Sequence, residues 1–128
     1  MHVIDKTKVL VVDDEPDVFF LFSRILSKRK LRTDYAHNLA EAASYIQNDP
    51  PDLIFLDNYL PDGQGVDFIP YVKANFPHIR VVMVTANDSL IDKKRAFQQG
   101  ADDFLGKPMS LEQINRTLDQ INELNGIV

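Results

Sequence analysis

The chain contains no cysteine among its 128 residues, and this absence removes several kinds of chemistry. Disulfide bonds, thiol catalysis and cysteine-ligated metal sites are all excluded, and the composition suits a reducing compartment. No apolar segment is long enough to span a bilayer, and residues 1–12 lack both the basic start and the small-residue cleavage site of an export signal. We therefore expect a cytoplasmic protein with no membrane partner.

The chain has fewer basic residues than acidic ones. The 14 lysines and arginines against 19 aspartates and glutamates give a formal net charge of -5, and the isoelectric point is near 5.0. A surface that follows nucleic-acid phosphates needs clustered basic residues. We therefore expect no direct contact with nucleic acid.

The length and apolar content favour one domain. A chain of 128 residues with 45% hydrophobic content can bury one ordinary core. The sequence shows no internal repeat, no low-complexity segment and no interdomain linker. We expect residues 1–128 to form one domain without an output domain, so the chain is either a stand-alone module or a piece of a longer protein.

Strand and helix patterns alternate along the chain. The apolar runs at 9–12 and 53–56, and the run at 79–84 in which Arg80 is the one polar residue, are typical of parallel strands buried on both faces. Residues 31–36 form a weaker strand pattern. Helix starts are indicated by Pro16, by Asn38 with Glu41, by the 61–65 loop, by Ser89 with Asp92 and by Ser110 with Gln113. The last of these helices has an apolar stripe that begins at Leu111. This alternation predicts an α/β protein with a doubly wound parallel sheet and helices on both faces.

Polar residues follow four of the predicted strands. Asp13 and Asp14 follow the first run, Asp57 follows the 53–56 run, Thr85 follows the next, and Lys107 ends a weaker segment. In open parallel sheets, ligands bind beyond the carboxyl ends of the strands. Three carboxylates, a hydroxyl and an ammonium are therefore expected at one edge, where they could hold a cation, supply a nucleophile and bind phosphate.

Each of these residues also has a local explanation. Asp14 could cap the first helix, and Asp57 could be a turn residue. Thr85 is β-branched, as is common in strands, and Lys107 could be a solvated surface lysine. Taken singly, the local explanations are the stronger ones, but together they require four independent coincidences at one sheet edge. Their joint occurrence favours a functional site.

The residue types predict a magnesium-assisted transfer of phosphoryl. Three close carboxylates repel one another and become partly protonated unless a divalent cation neutralises them. An oxygen-only site suits Mg²⁺, with Asp14 and Asp57 as ligands and Asp13 acting directly or through water. A carboxylate can accept a phosphoryl group as an aspartyl phosphate. Lys107 and Thr85 would then neutralise charge on the transferring oxygens.

The same residues lie in four strings that together resemble a known family. They are Val-Val-Asp-Asp-Glu-Pro at 11–16, Asp-Asn-Tyr-Leu-Pro-Asp-Gly-Gln-Gly at 57–65, Val-Met-Val-Thr-Ala at 82–86 and Gly-Ala-Asp-Asp-Phe-Leu-Gly-Lys-Pro at 100–108. In this order and spacing the chain resembles the receiver domains of two-component response regulators, from about Lys8 to Leu124. The resemblance implies a flavodoxin-like sheet of five strands in the order 2-1-3-4-5, with five helices.

The resemblance also implies roles for individual residues. Asp57 would accept a phosphoryl group from the phosphohistidine of a sensor histidine kinase or a histidine phosphotransfer protein. The main-chain carbonyl of Tyr59 would join the three aspartates around Mg²⁺, and Lys107 would precede a cis proline. Thr85 and Phe104 would form a conformational switch, although Phe104 could equally be a core residue. Such a domain catalyses only its own phosphorylation and dephosphorylation and is not otherwise an enzyme.

Three other functions are less consistent with the sequence. A haloacid dehalogenase needs Asp-x-Asp at its first strand, whereas this strand ends in adjacent Asp13 and Asp14. A flavodoxin-like binding module needs hydroxyls and amides in its phosphate loop, and the acidic 13–17 segment would repel an anion. A scaffold that is never phosphorylated is a third alternative. The sequence lacks none of the residues expected at the site, so nothing supports this alternative. The cognate kinase, the downstream protein target, the oligomeric state and the lifetime of the phosphorylated form are not encoded in recognisable motifs.

Overall fold

The computed structural model describes residues 7–86 and 89–124, and the elements in these ranges alternate between strand and helix. In chain order they are β1 (Lys8–Val12), α1 (Pro16–Lys28), β2 (Arg32–Ala36), α2 (Leu39–Asn48), β3 (Leu53–Leu56), β4 (Tyr59–Leu60), β5 (Gly63–Gln64), α3 (Gly65–Asn75), β6 (Arg80–Thr85), α4 (Leu90–Gln99), β7 (Asp103–Gly106) and α5 (Leu111–Leu124). None of the helices in these ranges has the length and apolar character that crossing a membrane requires.

Five parallel strands form the central sheet in the order β2-β1-β3-β6-β7. Since β6 and β7 are its fourth and fifth strands, the predicted order 2-1-3-4-5 is confirmed. The register places Val12 beside Leu56 and Leu56 beside Met83. The carboxyl ends of β1, β3 and β6 therefore reach the same edge, and the residues that follow them begin there.

Alternate side chains of each strand enter two separate cores, one on each face of the sheet. On one face Val9 and Val11 pack with the buried residues of α1 and α5, and on the other Leu10 and Val12 pack with those of α2, α3 and α4. Both faces are covered, as expected for strands with continuous apolar sequences. Rigid packing on both sides fixes the strand ends that carry the polar residues.

The predicted helix boundaries are largely confirmed by hydrogen bonds. The side-chain oxygens of Asn38, Ser89 and Ser110 each accept a bond from the backbone N–H three residues later, at 2.8, 3.2 and 3.1 Å. At the end of α4, Gly100 adopts a left-handed conformation with φ of 114°. Glycine reaches this region without steric cost, so it ends the helix cleanly.

Three details differ from the sequence expectations. The second strand begins at Arg32 instead of Leu31, and the 61–65 loop contains part of a two-stranded antiparallel ribbon formed by β4 and β5. Strands of two residues are too short to show a periodic pattern, so this ribbon could not be predicted. Leu111 is 46% exposed and lines a surface groove beside Arg24, so the buried stripe of α5 starts at Ile114.

Candidate functional site

Four acidic side chains meet beyond the carboxyl ends of β1 and β3. One carboxylate oxygen from each of Asp13, Asp14, Glu15 and Asp57 lies within 4.8 Å of the other three. Asp13 and Asp57 are buried, with 1% and 4% exposure, whereas Asp14 and Glu15 are exposed. The backbone N–H of Asp57 donates to the carbonyl of Val12 at 2.9 Å, which ties the two loops together.

The structure does not support the local explanation for Asp14. The residue at the N-cap of α1 is Glu15, and no side chain caps this helix. Pro16, at the first position of α1, has no backbone N–H, so the first turn has one fewer N–H group to satisfy. The Asp14 side chain thus has no capping role and lies among the other carboxylates.

The Lys107 side chain lies within this acidic cluster and is not a solvated surface lysine. Its Nζ is 2.8 Å from Asp13 Oδ2, 2.8 Å from Glu15 Oε1 and 3.4 Å from Asp57 Oδ2, and the side chain is only 12% exposed. The Lys107 N–H donates to the Thr85 carbonyl at 3.0 Å, and the Lys107–Pro108 bond is cis, as predicted. The hydrogen bond with Thr85 holds the Lys107 backbone beside the end of β6.

Burial and charge set the protonation of the cluster. Burial, followed by the negative charge of Asp13, raises the pKa of Asp57 to about 6 despite the opposing effect of Lys107. Burial also raises the pKa of Asp13, and its hydrogen bond with Lys107 acts in the other direction. Burial lowers the pKa of Lys107, but its bonds with Asp13 and Glu15 outweigh that effect and leave the pKa above its ordinary value. The ammonium is therefore firmly charged while the carboxylates still repel one another.

The donor set fits a hard divalent cation. All of the clustered ligand atoms are carboxylate oxygens, and oxygen is the preferred donor of magnesium and calcium. A bound cation would relieve the repulsion that raises the pKa of Asp57. Asp13, Asp14, Glu15 and Asp57 could therefore hold a metal ion. The backbone N–H of Tyr59 donates to the Asp57 carboxylate, and the role of the Tyr59 carbonyl stays a prediction.

The two predicted switch residues lie beside this cluster on β6 and β7. Thr85 is the last residue of β6 and is 2% exposed. Phe104 pairs in register with Met83 and is half-buried. A cavity of about 10 Å³ is lined by Thr85, Phe104 and Ala96 of α4, among others. Asn87, two residues after Thr85, is outside the described residues.

Two further residues hold the Asp57 loop in place. The buried Asn58 accepts the Gly65 N–H with its carbonyl at 2.8 Å and the Val66 N–H with its side-chain oxygen at 3.0 Å. A Cβ atom on Gly65 would lie 2.1 Å from the Asp57 carbonyl oxygen. Only glycine allows this approach, so the start of α3 and the Asp57 loop form one packed unit.

Replacing Gly65 by alanine should therefore destabilise the protein. The new methyl group can be accommodated only if the backbone at Asp57 moves, and overpacking of this kind costs about 2 kcal/mol or more. Urea unfolding should show a clearly lower midpoint, whereas Asp67→Ala, an exposed change in the same first turn of α3, should shift the midpoint much less. Equal midpoints for wild type and Gly65→Ala would mean that this close approach does not constrain the loop.

Sequence reasoning missed one member of the cluster. Glu15 was not predicted to contact Lys107, yet it lies as close to the ammonium as Asp13 does. Its position directly after Asp13 and Asp14, at the start of a helix, is the one signal that could have suggested it. The contact itself depends on side-chain directions that a linear pattern does not contain.

Comparisons with known proteins agree with this geometry. The family model described as "Response regulator receiver domain" matches residues 9–119. The response regulator protein PilR of Pseudomonas aeruginosa is 40% identical over 87% of this chain, and the transcriptional regulatory protein TrcR of Mycobacterium tuberculosis is 34% identical over 84%. The chain spans only 25% and 42% of these two relatives, respectively. The solution structure of the beryllofluoride-activated NtrC4 receiver domain dimer is similar with a TM-score of 0.84 and 37% identity, covering 88% of this chain and 93% of that one.

Proposed function

The chain belongs to the family of response regulator receiver domains, which act in two-component signalling, and from this premise we propose that Asp57 accepts a phosphoryl group. The observation that carries the proposal is the position of Asp57, a buried carboxylate 3.4 Å from the Lys107 ammonium and surrounded by three further acids. The donor is the phosphohistidine of a sensor histidine kinase or a histidine phosphotransfer protein.

The transfer is a nucleophilic displacement at phosphorus. An Asp57 carboxylate oxygen forms the new P–O bond, the P–N bond of the phosphohistidine breaks, and the imidazole nitrogen keeps the electron pair and is reprotonated from water. Asp57 must be ionised to attack, which its pKa of about 6 allows at neutral pH. The Lys107 ammonium offers a fixed positive charge to the oxygens of the transferring group.

We propose Mg²⁺ as the ion of the acidic cluster, held by Asp13, Asp14, Asp57 and the main-chain carbonyl of Tyr59. When bound, Mg²⁺ neutralises charge on the phosphoryl oxygens and lowers the repulsion between a phosphodonor and the carboxylates. Asp13 also keeps Lys107 in position through their 2.8 Å ion pair. Asp14, which is exposed, reaches the cluster from the solvent side.

The partners follow from the same family membership. Residues 1–128 would act as one receiver module in the cytoplasm, and the module would signal to a downstream protein target. Relatives such as TrcR are named as transcriptional regulators. The acidic net charge of -5 argues against nucleic-acid binding by this module itself, so we assign any such contact in longer proteins to other domains.

The proposal is tested with a small phosphodonor. Incubation with acetyl phosphate and magnesium should add the mass of one phosphoryl group to the intact protein, and chelation of magnesium by EDTA should prevent the addition. In this reaction the P–O bond of acetyl phosphate breaks and acetate leaves. If the protein gains no phosphoryl group from acetyl phosphate or from a phosphorylated histidine protein, it does not act as a receiver.

We also propose that Thr85 and Phe104 transmit the phosphorylation to the surface formed by α4, β7 and α5. A phosphoryl group replaces the single charge of the Asp57 carboxylate with roughly two negative charges on three acceptor oxygens, which should attract the Thr85 hydroxyl. Two observations support a mobile Phe104: the residue is half-buried instead of enclosed, and it lines the same small cavity as Thr85. A movement of Thr85 toward Asp57 would enlarge the space available to the ring.

Nuclear magnetic resonance can detect this coupling. Addition of magnesium and beryllofluoride, a phosphoryl mimic, should shift the resonances of Thr85, Phe104 and α4 together, because a switch requires two populated arrangements. Thr85→Ala should leave Asp57 able to bind beryllofluoride but should remove the response of Phe104. A perturbation confined to Asp13, Asp14, Asp57 and Lys107 would show that the site transmits nothing along this route.

A further inference from the structure

The Lys107 ammonium is shared among three carboxylates, and one of them, Glu15, has no role in the reaction described above. Nζ lies 2.8 Å from Glu15 and 3.4 Å from Asp57, so the lysine is closer to Glu15 than to the proposed phosphoacceptor. We infer that Glu15 is a positioning residue that holds Lys107 away from Asp57 until a phosphoryl group is present. This inference rests on the proposed function and extends it.

The backbone of Glu15 is held by hydrogen bonds, and its side chain is largely exposed. Its N–H donates to Asp13 Oδ1 at 2.9 Å, and its carbonyl accepts the N–H of Val18 at 3.1 Å as α1 begins. The side chain of Glu15 is 60% exposed, whereas that of Lys107 is 12% exposed. The held backbone places the Glu15 carboxylate within reach of Lys107. Because the Glu15 side chain is exposed, the carboxylate can turn into solvent when Lys107 leaves.

The charges of the acidic cluster indicate when Lys107 would leave Glu15. In the resting site Glu15 and Asp57 each present at most one negative charge to the ammonium, and Glu15 is nearer. A phosphoryl group raises the negative charge at Asp57 from one, on the ionised carboxylate, to roughly two on the phosphoryl oxygens. The stronger attraction then lies on the Asp57 side, so Lys107 should move from Glu15 to the phosphoryl oxygens. An ion pair whose carboxylate is exposed to solvent, as that of Glu15 is, is weak enough to be broken in this way.

Removal of the Glu15 charge should therefore release Lys107 before any phosphoryl group is present. In Glu15→Gln without ligand, the ¹³Cε resonance of Lys107 should already lie part of the way toward its position in wild type with magnesium and beryllofluoride. Phosphorylation by acetyl phosphate, measured at a magnesium concentration that saturates each variant, should be faster by roughly two- to fivefold, the range expected for the loss of one exposed ion pair. Saturating magnesium removes any effect of the substitution on metal affinity.

Two variants distinguish the position of the Glu15 carboxylate from the general negative charge near Lys107. Asp17→Asn removes an equal charge from the same groove beside Lys107, but among the described contacts of Lys107 the carboxylates are those of Asp13, Glu15 and Asp57. It should leave both the resonance and the rate unchanged. Glu15→Asp keeps the charge but shortens the reach by one methylene, so it should release the lysine and accelerate phosphorylation much as Glu15→Gln does.

The results can also contradict the inference. If Glu15→Gln leaves the resonance and the rate at wild-type values, or if Asp17→Asn changes both equally, Glu15 does not position Lys107. An effect of Glu15→Gln that Glu15→Asp does not share would show that the charge at position 15, and not the reach of its carboxylate, controls the lysine. Failure of wild type to accept any phosphoryl group would instead refute the proposed function, and the resonance of the ligand-free protein would still report whether Glu15 holds the lysine.

Discussion

Asp57→Asn should lose phosphorylation completely. An amide at this position cannot form an acyl phosphate, and the neighbouring carboxylates are proposed to hold the metal or the lysine instead of attacking phosphorus. Intact mass spectrometry after incubation with magnesium and acetyl phosphate should show one added phosphoryl group on wild type and none on the variant. The wild-type label should be stable in acid but labile in base and in hydroxylamine, as acyl phosphates are.

Folding of the Asp57→Asn variant is part of this prediction. The pKa of Asp57 is about 6 in the folded protein, above the roughly 3.9 of an unfolded aspartate. The folded state therefore binds the proton more tightly, so ionisation of Asp57 destabilises wild type as the pH rises through about 6. Without metal at pH 8, Asp57→Asn should be more stable than wild type by about 1–3 kcal/mol.

The control for Asp57→Asn is Asp17→Asn, an exposed acid in the first turn of α1. This variant should be labelled as fully as wild type. Full and persistent labelling of the Asp57→Asn protein would place the acceptor elsewhere and end this assignment.

Asp14→Ala should abolish both magnesium binding and phosphorylation while the protein stays folded. Asp14 is exposed and, among the described residues, caps no helix, so its loss should remove a proposed metal ligand and leave the described structural contacts in place. Loss of one of several repelling carboxylates can even raise the stability of the metal-free protein. Circular dichroism at 25 °C should therefore match wild type.

Thermal melts with and without magnesium measure the binding. A ligand that binds only the folded state, at ten times its dissociation constant, stabilises by about 1.4 kcal/mol, which is a readily measured rise in melting temperature for a chain of this size. Wild type and the control Asp17→Ala should both show this rise, and Asp14→Ala should not. If millimolar magnesium does not stabilise wild type, the acidic cluster is not a magnesium site.

The strands and the polar residues after them could be predicted because buried parallel strands have continuous apolar sequences. Once the 9–12 and 53–56 runs were assigned to neighbouring strands, Asp13 and Asp57 had to approach each other at one edge. The strand order itself required the family resemblance, since periodicity does not distinguish one doubly wound order from another. Helix starts were predictable because a short polar side chain must satisfy free N–H groups there, as Asn38 does.

The remaining features depend on side-chain geometry between distant parts of the chain. Glu15 and Lys107 are 92 residues apart, and their contact exists because the start of α1 and the end of β7 reach the same edge. The close approach of Gly65 to Asp57 likewise depends on the exact path of two loops. Leu111 fits the apolar stripe of α5 in sequence but is 46% exposed and lines a surface groove beside α1, because helical spacing does not show how closely neighbouring elements pack.

The most direct test is to locate the phosphoryl group in wild type by peptide mass spectrometry. After reaction with acetyl phosphate and magnesium, borohydride reduction converts an aspartyl phosphate to homoserine, which tandem fragmentation can assign to one residue. We predict a single converted residue, Asp57, in the sample with magnesium and none in the sample with EDTA. Conversion of a different residue, or equal conversion of Asp57 in the presence of EDTA, would contradict the proposal that this chain is a magnesium-dependent phosphoacceptor.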